Sequence, residues 1–332
     1  MNYSLLPKVE LHLHLDCSLS YTVVKQINPA IGYEEYRESF VAPPKCTDLA
    51  DYLSRAIKGF ELMQTREQLR WVTLDLVEQL KADNVIYAEI RFAPLLHIAN
   101  GLTPYEVVQT VNDALTVGIN NTGVEARLIL CTLRHYYEEQ SMETVKLVEQ
   151  FRGSKVVAFD IAGNEAGYPI DAHSSAFMYA RENNISVTSH AGEARGAKSV
   201  WETLHHFHPS RIGHGIRSVE DVQLMDFLKQ NRIHLEVCPT SNVQTNVVNS
   251  IADHPADKIY RHGISMSINT DARTISDTTL QKEYAIMEKN FNWEKSHFLH
   301  CNLEAIEHAF CEPALKEKIR QHIVTAYTSA AG

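Results

Sequence analysis

Short apolar runs rich in β-branched residues alternate along the chain with longer segments in which apolar residues recur every three or four positions. Runs of the first kind predict buried strands, and segments of the second kind predict amphipathic helices. The predicted strands are Val9–Leu15, Val85–Phe92, Ala126–Leu133, Val156–Ile161, Ile185–His190, Arg211–His214, His234–Cys238 and Ile264–Asn269. Helices are predicted between most of them, at Pro104–Asn120, Met142–Arg152, Asp171–Asn183 and Val219–Gln230.

This alternation of strand and helix is typical of a parallel sheet in the α/β class. Eight such units in 332 residues favour a closed (β/α)8 barrel of the TIM type, with an open doubly wound sheet as the alternative. The chain contains neither a Gly/Ser-rich linker nor a repeat longer than the strand–helix unit. We therefore predict one barrel domain over residues 1–332.

The stretch from Val23 to Asp83 interrupts the alternation, because it contains helical patterns and no strand pattern. Leu49–Met63 and Glu67–Lys81 are both amphipathic and predict extra helices inserted after the first strand. An insertion at this point lies on the barrel face where active sites form. Two interpretations stay open, a lid over the site and a long crossover.

Composition narrows the function classes. The net charge of −10, without a basic cluster, weighs against nucleic acids and anionic membranes as partners. The six cysteines are scattered and form no CxxC pair, which is typical of reduced thiols in a cytoplasmic protein. No signal peptide and no apolar run of about 18 residues is found. The oligomeric state is not predicted.

The segment LHLHLD at Leu11–Asp16 carries the first candidate chemistry. A strand places alternate side chains on one face, so His12, His14 and Asp16 share a face opposite the three leucines. Leucines facing the helices would leave these polar groups inside the barrel, where bare polar groups are costly. A bound metal would resolve that conflict, whereas two histidines on an exposed edge strand are the alternative.

Three further predicted strands end in residues suited to metal binding or proton transfer. His190 lies in SHAGE, His214 in RIGHG and Asp271 in SINTDA, and Glu193 follows His190 by three positions. A single Asp at a strand end is usually a helix cap. Four strand ends of this kind in one chain are rarely a coincidence, because these ends meet at the active-site face of a barrel.

Three histidines and one aspartate suit zinc, although iron, cobalt and manganese also accept such ligands. Binuclear barrel hydrolases usually need a bridging lysine on the fourth strand, and the fourth strand here is VVAFDI. We therefore predict a single metal ion, held by His12, His14, His190 and Asp271.

The motifs KVELHLHLD, FDIAGNE, SHAGE, RIGHG, LEVCPTSN and NTD resemble, in this order, those of the adenosine deaminase family in the amidohydrolase superfamily. The similarity runs from about Pro7 to about Glu283 and is strongest to bacterial members around VWETL, RIGHGIRSVED and EVCPTSNVQT. It implies a (β/α)8 barrel with one Zn²⁺ per chain. The implied reaction is hydrolysis of the 6-amino group of adenosine or 2′-deoxyadenosine, which yields inosine or deoxyinosine and ammonia.

The resemblance also implies roles for single residues. Glu193 would donate a proton to purine N1, His214 would orient the attacking water, and Asp271 would accept the proton of that water. Glu193 can donate at neutral pH only if a closed, water-poor pocket raises its pKa. The residues implied to surround the substrate are His14, Asp16 near the ribose, Gly163 with its N–H toward purine N3, and Ala272.

Two positions depart from the family pattern. Cys17 replaces a glycine, so either the backbone is ordinary there or the turn is arranged differently; a thiolate at the metal is a further option. Ala272 replaces an Asp or Asn that contacts purine N7, and Arg273 is a candidate to replace that contact. Arg91, near the end of the second strand, is expected at the barrel mouth, where it would hold neighbouring loops.

Related enzymes act on adenine, N6-substituted adenine or aminodeoxyfutalosine. Asp16 counts against adenine, because adenine-specific relatives tend to have Glu there, and Ala272 leaves the other two substrates open. A barrel that binds a nucleoside or a metal without catalysis is a third hypothesis. The combination of metal ligands, an acid and a water-orienting histidine favours an enzyme.

Overall fold

The computed structural model describes residues 3–329, so residues 1–2 and 330–332 of the predicted domain lie outside the described part. Its eight strands are all parallel, and each pairs with the next one along the chain. The strands are β1 Lys8–His14, β2 Val85–Phe92, β3 Glu125–Leu133, β4 Val156–Ala162, β5 Ser186–Ala191, β6 Arg211–His214, β7 His234–Val237 and β8 Met266–Ile268. The predicted barrel with eight strands is confirmed.

Four helices separate β1 from β2 and confirm the predicted insertion: α1 Tyr21–Ile27, α2 Tyr33–Phe40, α3 Leu49–Glu61 and α4 Arg66–Ala82. Later helices alternate with strands, as expected from the apolar periodicity: α5 Pro104–Thr122, α6 Glu138–Gln150, α7 Ser174–Glu182, α8 Ala197–Phe207, α9 Val222–Gln230, α10 Pro239–Gln244, α11 Ala256–His262, α12 Leu280–Phe291, α13 Lys295–His308 and α14 Pro313–Ser329. None of the helices within residues 3–329 combines the length and the apolar character needed to cross a membrane.

Local sequence signals explain where several helices begin. Thr65 and Thr103 each form a capping box with the residue three positions later, which satisfies backbone N–H groups at the starts of α4 and α5. Pro104 occupies the first turn of α5, where its missing N–H costs nothing. At the other end of α5, Gly123 adopts the left-handed conformation that ends many helices.

Closure of the barrel brings the first strand next to the segment that follows the last one. Leu13 and Asp271 form a parallel bridge beyond the end of β8. The His14 N–H donates to the Asp271 carbonyl at 2.7 Å, and the Asp271 N–H donates to the His12 carbonyl at 3.0 Å. Closure itself therefore places Asp271 beside the two histidines of β1.

The inserted helix α3 covers the open end of the barrel. Gly59 of α3 lies so close to the turn after β1 that a Cβ atom there would stand 2.3 Å from the Asp16 carbonyl oxygen. On the same helix, Leu49, Tyr52 and Leu53 line the cavity at the strand ends. The insertion is therefore a cover over this face, as the lid interpretation requires.

The barrel interior contains a network of buried ion pairs, and Arg91 belongs to this network. The Arg91 guanidinium is fully buried and donates to Asp160 at 2.8 Å, to Glu236 at 2.7 Å and to the Leu11 carbonyl at 2.6 Å. The expectation that Arg91 holds loops at the mouth is therefore wrong. Buried carboxylates need a counter-charge, and this inward-facing arginine supplies it beneath the site.

Candidate active site

A cavity lies at the carboxyl ends of the strands, where barrel active sites form. The cavity is narrow, with a volume of about 40 Å³. The residues that line it come from five strand ends or the turns that follow them and from α3. They are His14, Cys17, Leu49, Tyr52, Leu53, Ala162, Gly163, His190, Glu193, His214, Asp271 and Ala272.

Four buried residues converge beneath this cavity. His12, His190, His214 and Asp271 each offer a potential ligand atom, and these atoms all lie within 4.8 Å of one another. Gly213 makes the convergence possible, since a Cβ atom at that position would stand 2.8 Å from the His12 ring. The structure thus shows a buried cluster that is able to hold a metal ion.

Two residues of this cluster have a strained backbone conformation. His214 and Asp271 adopt positive φ angles of 61° and 63°, a conformation that costs energy for residues other than glycine. The barrel stabilises them through strand pairing and through the backbone hydrogen bonds of Asp271 to β1. Strain of this kind is typical of residues whose side chains are held for chemistry.

Carboxylates behind the cluster decide which nitrogen of His12 and of His190 faces the cavity. The Nδ1 atom of His12 lies 2.9 Å from Glu236, and the Nδ1 atom of His190 lies 3.1 Å from Asp160. A carboxylate accepts a proton at Nδ1 and leaves the lone pair at Nε2, as in the carboxylate–histidine pairs of metal sites. The Nε2 atom of His12 is buried without a hydrogen-bond partner, which fits a role as a metal ligand.

Distances between these atoms match the edges of a zinc site. Tetrahedral zinc with bonds of about 2.0–2.1 Å requires ligand atoms roughly 3.3 Å apart. His12 Nε2 lies 3.3 Å from Asp271 Oδ1, and His14 Nε2 lies 3.5 Å from the same oxygen. His14 Nε2 also lies 3.2 Å from His190 Nε2. The predicted ligand His14 thus lies against the cluster, although the group of four that converges within 4.8 Å contains His214 in its place.

Glu193 lies in the loop after β5 and is 96 % buried. Burial raises its pKa well above the usual value, and the charges of Asp271 and Glu165 act in the same direction. Its Oε2 atom lies 3.6 Å from His214 Nε2. The expected raised pKa is therefore found, and it favours the protonated form of the Glu193 carboxyl group.

Glu165 holds the loop that carries this acid, and the sequence interpretation missed it. Its carboxylate accepts the backbone N–H groups of Gly192, Glu193, Ala194 and Arg195 at 2.6–3.0 Å. One buried carboxylate thus satisfies four donors of the turn after β5. The only signal in the sequence was its place in the motif GNE, which did not indicate this partner.

Asp16 and Cys17 follow β1 at the rim of the cavity. The Asp16 carboxylate is buried and accepts the Ala93 N–H at 3.4 Å, and burial raises its pKa to about 6. Cys17 lines the cavity with an ordinary negative φ, so the glycine of the family pattern is not required here. Burial raises the pKa of the Cys17 thiol well above its usual value, which weighs against a thiolate ligand.

Ala272 lines the cavity within an apolar cluster that includes Leu49, Tyr52 and Ile275. Arg273 does not join it there. Its guanidinium is buried against Glu10 at 2.6 Å and Asp83 at 3.0 Å, away from the lining residues. The expectation that Arg273 replaces the lost contact is therefore wrong, because two buried carboxylates hold its charge elsewhere.

Comparison with known proteins shows which family the chain belongs to. The family model described as "Adenosine deaminase" matches residues 7–326. The chain belongs to the adenosine deaminase family. An adenosine deaminase of Clostridium perfringens strain 13 is 35% identical over 331 residues, covering 98% of this chain and 100% of the relative.

Two solved structures extend the comparison. The adenine deaminase of Arthrobacter aurescens has a TM-score of 0.90 at 25% identity, covering 98% of this chain and 100% of that one. The Arabidopsis N6-mAMP deaminase has a TM-score of 0.86 at 26% identity, covering 97% and 99%. The prediction of an adenosine deaminase-family aminohydrolase is confirmed, and the match reaches beyond Glu283 to residue 326.

Proposed function

We propose that this chain is a zinc-dependent deaminase that converts adenosine and 2′-deoxyadenosine to inosine and deoxyinosine, with release of ammonia. The observation that carries the proposal is the position of the buried Glu193, whose pKa is raised by burial, at one cavity with the buried His and Asp cluster. The identity to a relative named adenosine deaminase supports the choice of substrate.

The donor set fits one zinc ion, which His12, His14, His190 and Asp271 would hold. The unpartnered Nε2 atom of His12 and the spacings of 3.2–3.5 Å among these ligand atoms support this assignment. A zinc ion at this position would supply Lewis acidity, which lowers the pKa of water from about 15.7 to roughly 7.

The residues of the chain then divide the proton transfers. Glu193 donates a proton to purine N1, which offsets the loss of aromaticity when water attacks C6. Asp271 accepts the proton of the water, while Ser241 holds its second oxygen by a hydrogen bond of 2.7 Å. His214 orients the water from the side of Glu193.

Around the substrate, we propose that Gly163 donates its N–H to purine N3 and that Asp16 contacts the ribose hydroxyls. Gly163 lines the cavity with a φ of 95°, a conformation in which its N–H is presented without a side chain in the way. Ala272 would face the N7 side of the purine, and His14 would contact the substrate from the metal side.

Purified protein is expected to convert adenosine to inosine, followed by the change in ultraviolet absorbance. Chelator-treated protein serves as the control for a metal-dependent reaction. Metal-loaded protein that turns over neither adenosine nor 2′-deoxyadenosine would contradict the proposed substrate.

Other aminopurines form the second candidate, because the structural relatives are named for adenine and N6-mAMP. The apolar wall at Ala272 is the observation that keeps them open. A panel of adenosine, adenine and N6-methyl-AMP ranked by kcat/KM separates these substrates, and adenosine is expected to rank first.

The wall at Ala272 leads to a prediction about purine N7. Replacing adenosine by 7-deazaadenosine is expected to change kcat/KM by less than about threefold, because Ala272 has no side-chain hydrogen bond to lose. In the Ala272→Asn variant, replacing adenosine by 7-deazaadenosine is expected to lower kcat/KM roughly 2–13-fold, which is the contribution of one hydrogen bond. A loss above about tenfold in the unaltered enzyme would show that another group contacts N7.

A further inference from the structure

A chain of buried hydrogen bonds runs away from the cavity behind the end of β6. The Nδ1 atom of His214 lies 3.1 Å from Asn242 Nδ2, and Asn242 Oδ1 lies 3.1 Å from His254 Nε2. The chain ends where the backbone N–H of Ala256 meets His254 Nδ1 at 3.1 Å. His214, Asn242 and His254 are all buried, and neither Asn242 nor His254 has a role in the proton transfers described above.

The direction of each hydrogen bond in this chain follows from the backbone N–H group at its far end. A backbone N–H only donates, so His254 Nδ1 is the acceptor and its Nε2 atom carries the proton. That proton is donated to the Asn242 oxygen, which turns the amide nitrogen of Asn242 toward His214. The amide nitrogen donates to His214 Nδ1, and His214 must therefore carry its own proton on Nε2.

The surroundings of His254 agree with this order. Burial lowers its pKa to about 3, which favours the neutral ring at neutral pH. Within residues 3–329, the Asn242 side chain makes no other hydrogen bond that would exchange the positions of its amide oxygen and nitrogen. Its backbone carbonyl is separately occupied by the N–H groups of Val247 and Val248, which fixes the end of α10 in place.

His214 thus differs from its neighbours in the cluster. His12 and His190 present Nδ1 to the carboxylates Glu236 and Asp160, which leaves a lone pair at Nε2 for a metal. His214 presents Nδ1 to an amide donor, which leaves an N–H at Nε2. Within one cluster, the partner behind each ring decides whether it binds a cation or donates a hydrogen bond.

We infer that Asn242 and His254 are positioning residues that hold His214 in its neutral Nε2–H form, as a hydrogen-bond donor into the cavity and not as a metal ligand. Only the expected effect on kcat rests on the proposed function. The Nε2–H form of His214 leaves His14 as the fourth metal ligand beside His12, His190 and Asp271, because His214 has no free lone pair.

The protonation of the ring nitrogens can be measured directly in the unaltered, zinc-loaded protein. Long-range ¹H–¹⁵N correlation spectra of ¹⁵N-histidine-labelled enzyme distinguish the two neutral forms, and His214→Gln identifies the signals of His214. We expect His214 protonated at Nε2, with His12 and His190 protonated at Nδ1. A His214 ring that is protonated at Nδ1, doubly protonated or metal-bound would overturn the inference.

Variants test the two positioning residues. Asn242→Asp presents only acceptors to His214 Nδ1 and is expected to move the proton to that atom. The kcat should fall about 10–100-fold, as for other partners behind active-site ligands, with KM within about threefold and full zinc content. His254→Leu is expected to lower kcat in the same way, and His254→Gln to restore part of it, because its amide still donates to Asn242.

His234→Gln is the matched control, since His234 is equally buried but bonds to Ser265 and Ser267 at the opposite end of the barrel. It is expected to lower stability and leave kcat unchanged. Zinc-loaded Asn242→Asp and His254→Leu enzymes with unaltered kcat would also overturn the inference. If no aminopurine is turned over, the ring protonation in the unaltered protein still decides it, independently of the proposed function.

Discussion

Replacing Glu193 by glutamine is expected to lower kcat by about 10²–10⁴-fold, the usual worth of general acid catalysis. Glutamine matches the shape of the side chain and still donates a hydrogen bond, but it has no proton to transfer. The fold and the metal content should therefore stay unchanged while kcat falls. Steady-state kinetics together with zinc analysis of the purified variant measure both quantities.

Glu202→Gln is the matched control, because Glu202 lies on the following helix α8 and makes only partly exposed ion pairs with Arg195 and Lys198. It should leave kcat within about twofold of the unaltered enzyme, as expected for weak surface pairs. A Glu193→Gln enzyme that keeps more than about a tenth of the original kcat would remove Glu193 from the role of acid.

The pH dependence of kcat/KM is a second test of Glu193 as the acid. Burial raises the pKa of Glu193, and only its protonated form is able to donate. The kcat/KM of the unaltered enzyme is therefore expected to fall as the pH rises through that raised pKa. An alkaline limb that stays unchanged in Glu193→Gln would assign the limb to another group.

Removal of the metal is expected to abolish turnover, because water without a Lewis acid keeps a pKa of about 15.7 and is a poor nucleophile. Chelation followed by dialysis should lower activity below detection, and one equivalent of Zn²⁺ per chain should restore it. Added Zn²⁺ should also raise the thermal midpoint of the metal-free protein, since an ion that binds the folded state stabilises it.

His12→Ala is the corresponding variant. The Nε2 atom of His12 has no hydrogen-bond partner, and the alanine would also leave Glu236 without the imidazole that it contacts. We therefore expect this variant to lose both metal affinity and activity. His234→Gln again serves as the control for loss of a buried histidine far from the cluster. Full activity after complete removal of metal would contradict the proposed mechanism.

Most of the fold could be predicted from local patterns. Strand β2 and strand β6 begin and end at the predicted residues, because an apolar run with defined ends is a property of neighbouring positions. The eighth strand was predicted at Ile264–Asn269 and is only Met266–Ile268. The Asn269 side chain explains part of the difference, since it accepts the Leu11 and His12 N–H groups where a longer strand would pair.

The arginines show where local patterns stop being sufficient. Arg91 and Arg273 were expected at the mouth or at the substrate, and both lie in buried networks of ion pairs. Their partners Asp160 and Glu10 are distant in the chain and become neighbours only when the barrel closes. A buried charge pairs with whatever opposite charge the closed interior brings near, and residue spacing does not encode that.

The sequence by itself determined which residues are candidates for the chemistry, because the alternation in LHLHLD and the polar ends of later strands follow from strand geometry. Tertiary structure decided what each residue is able to do. The bridge of Leu13 to Asp271 brings the candidate ligands together, Glu165 holds the loop that carries Glu193, and burial raises the pKa of Glu193. The protonated nitrogen of each histidine depends on its partner, and that partner arrives only when the barrel closes.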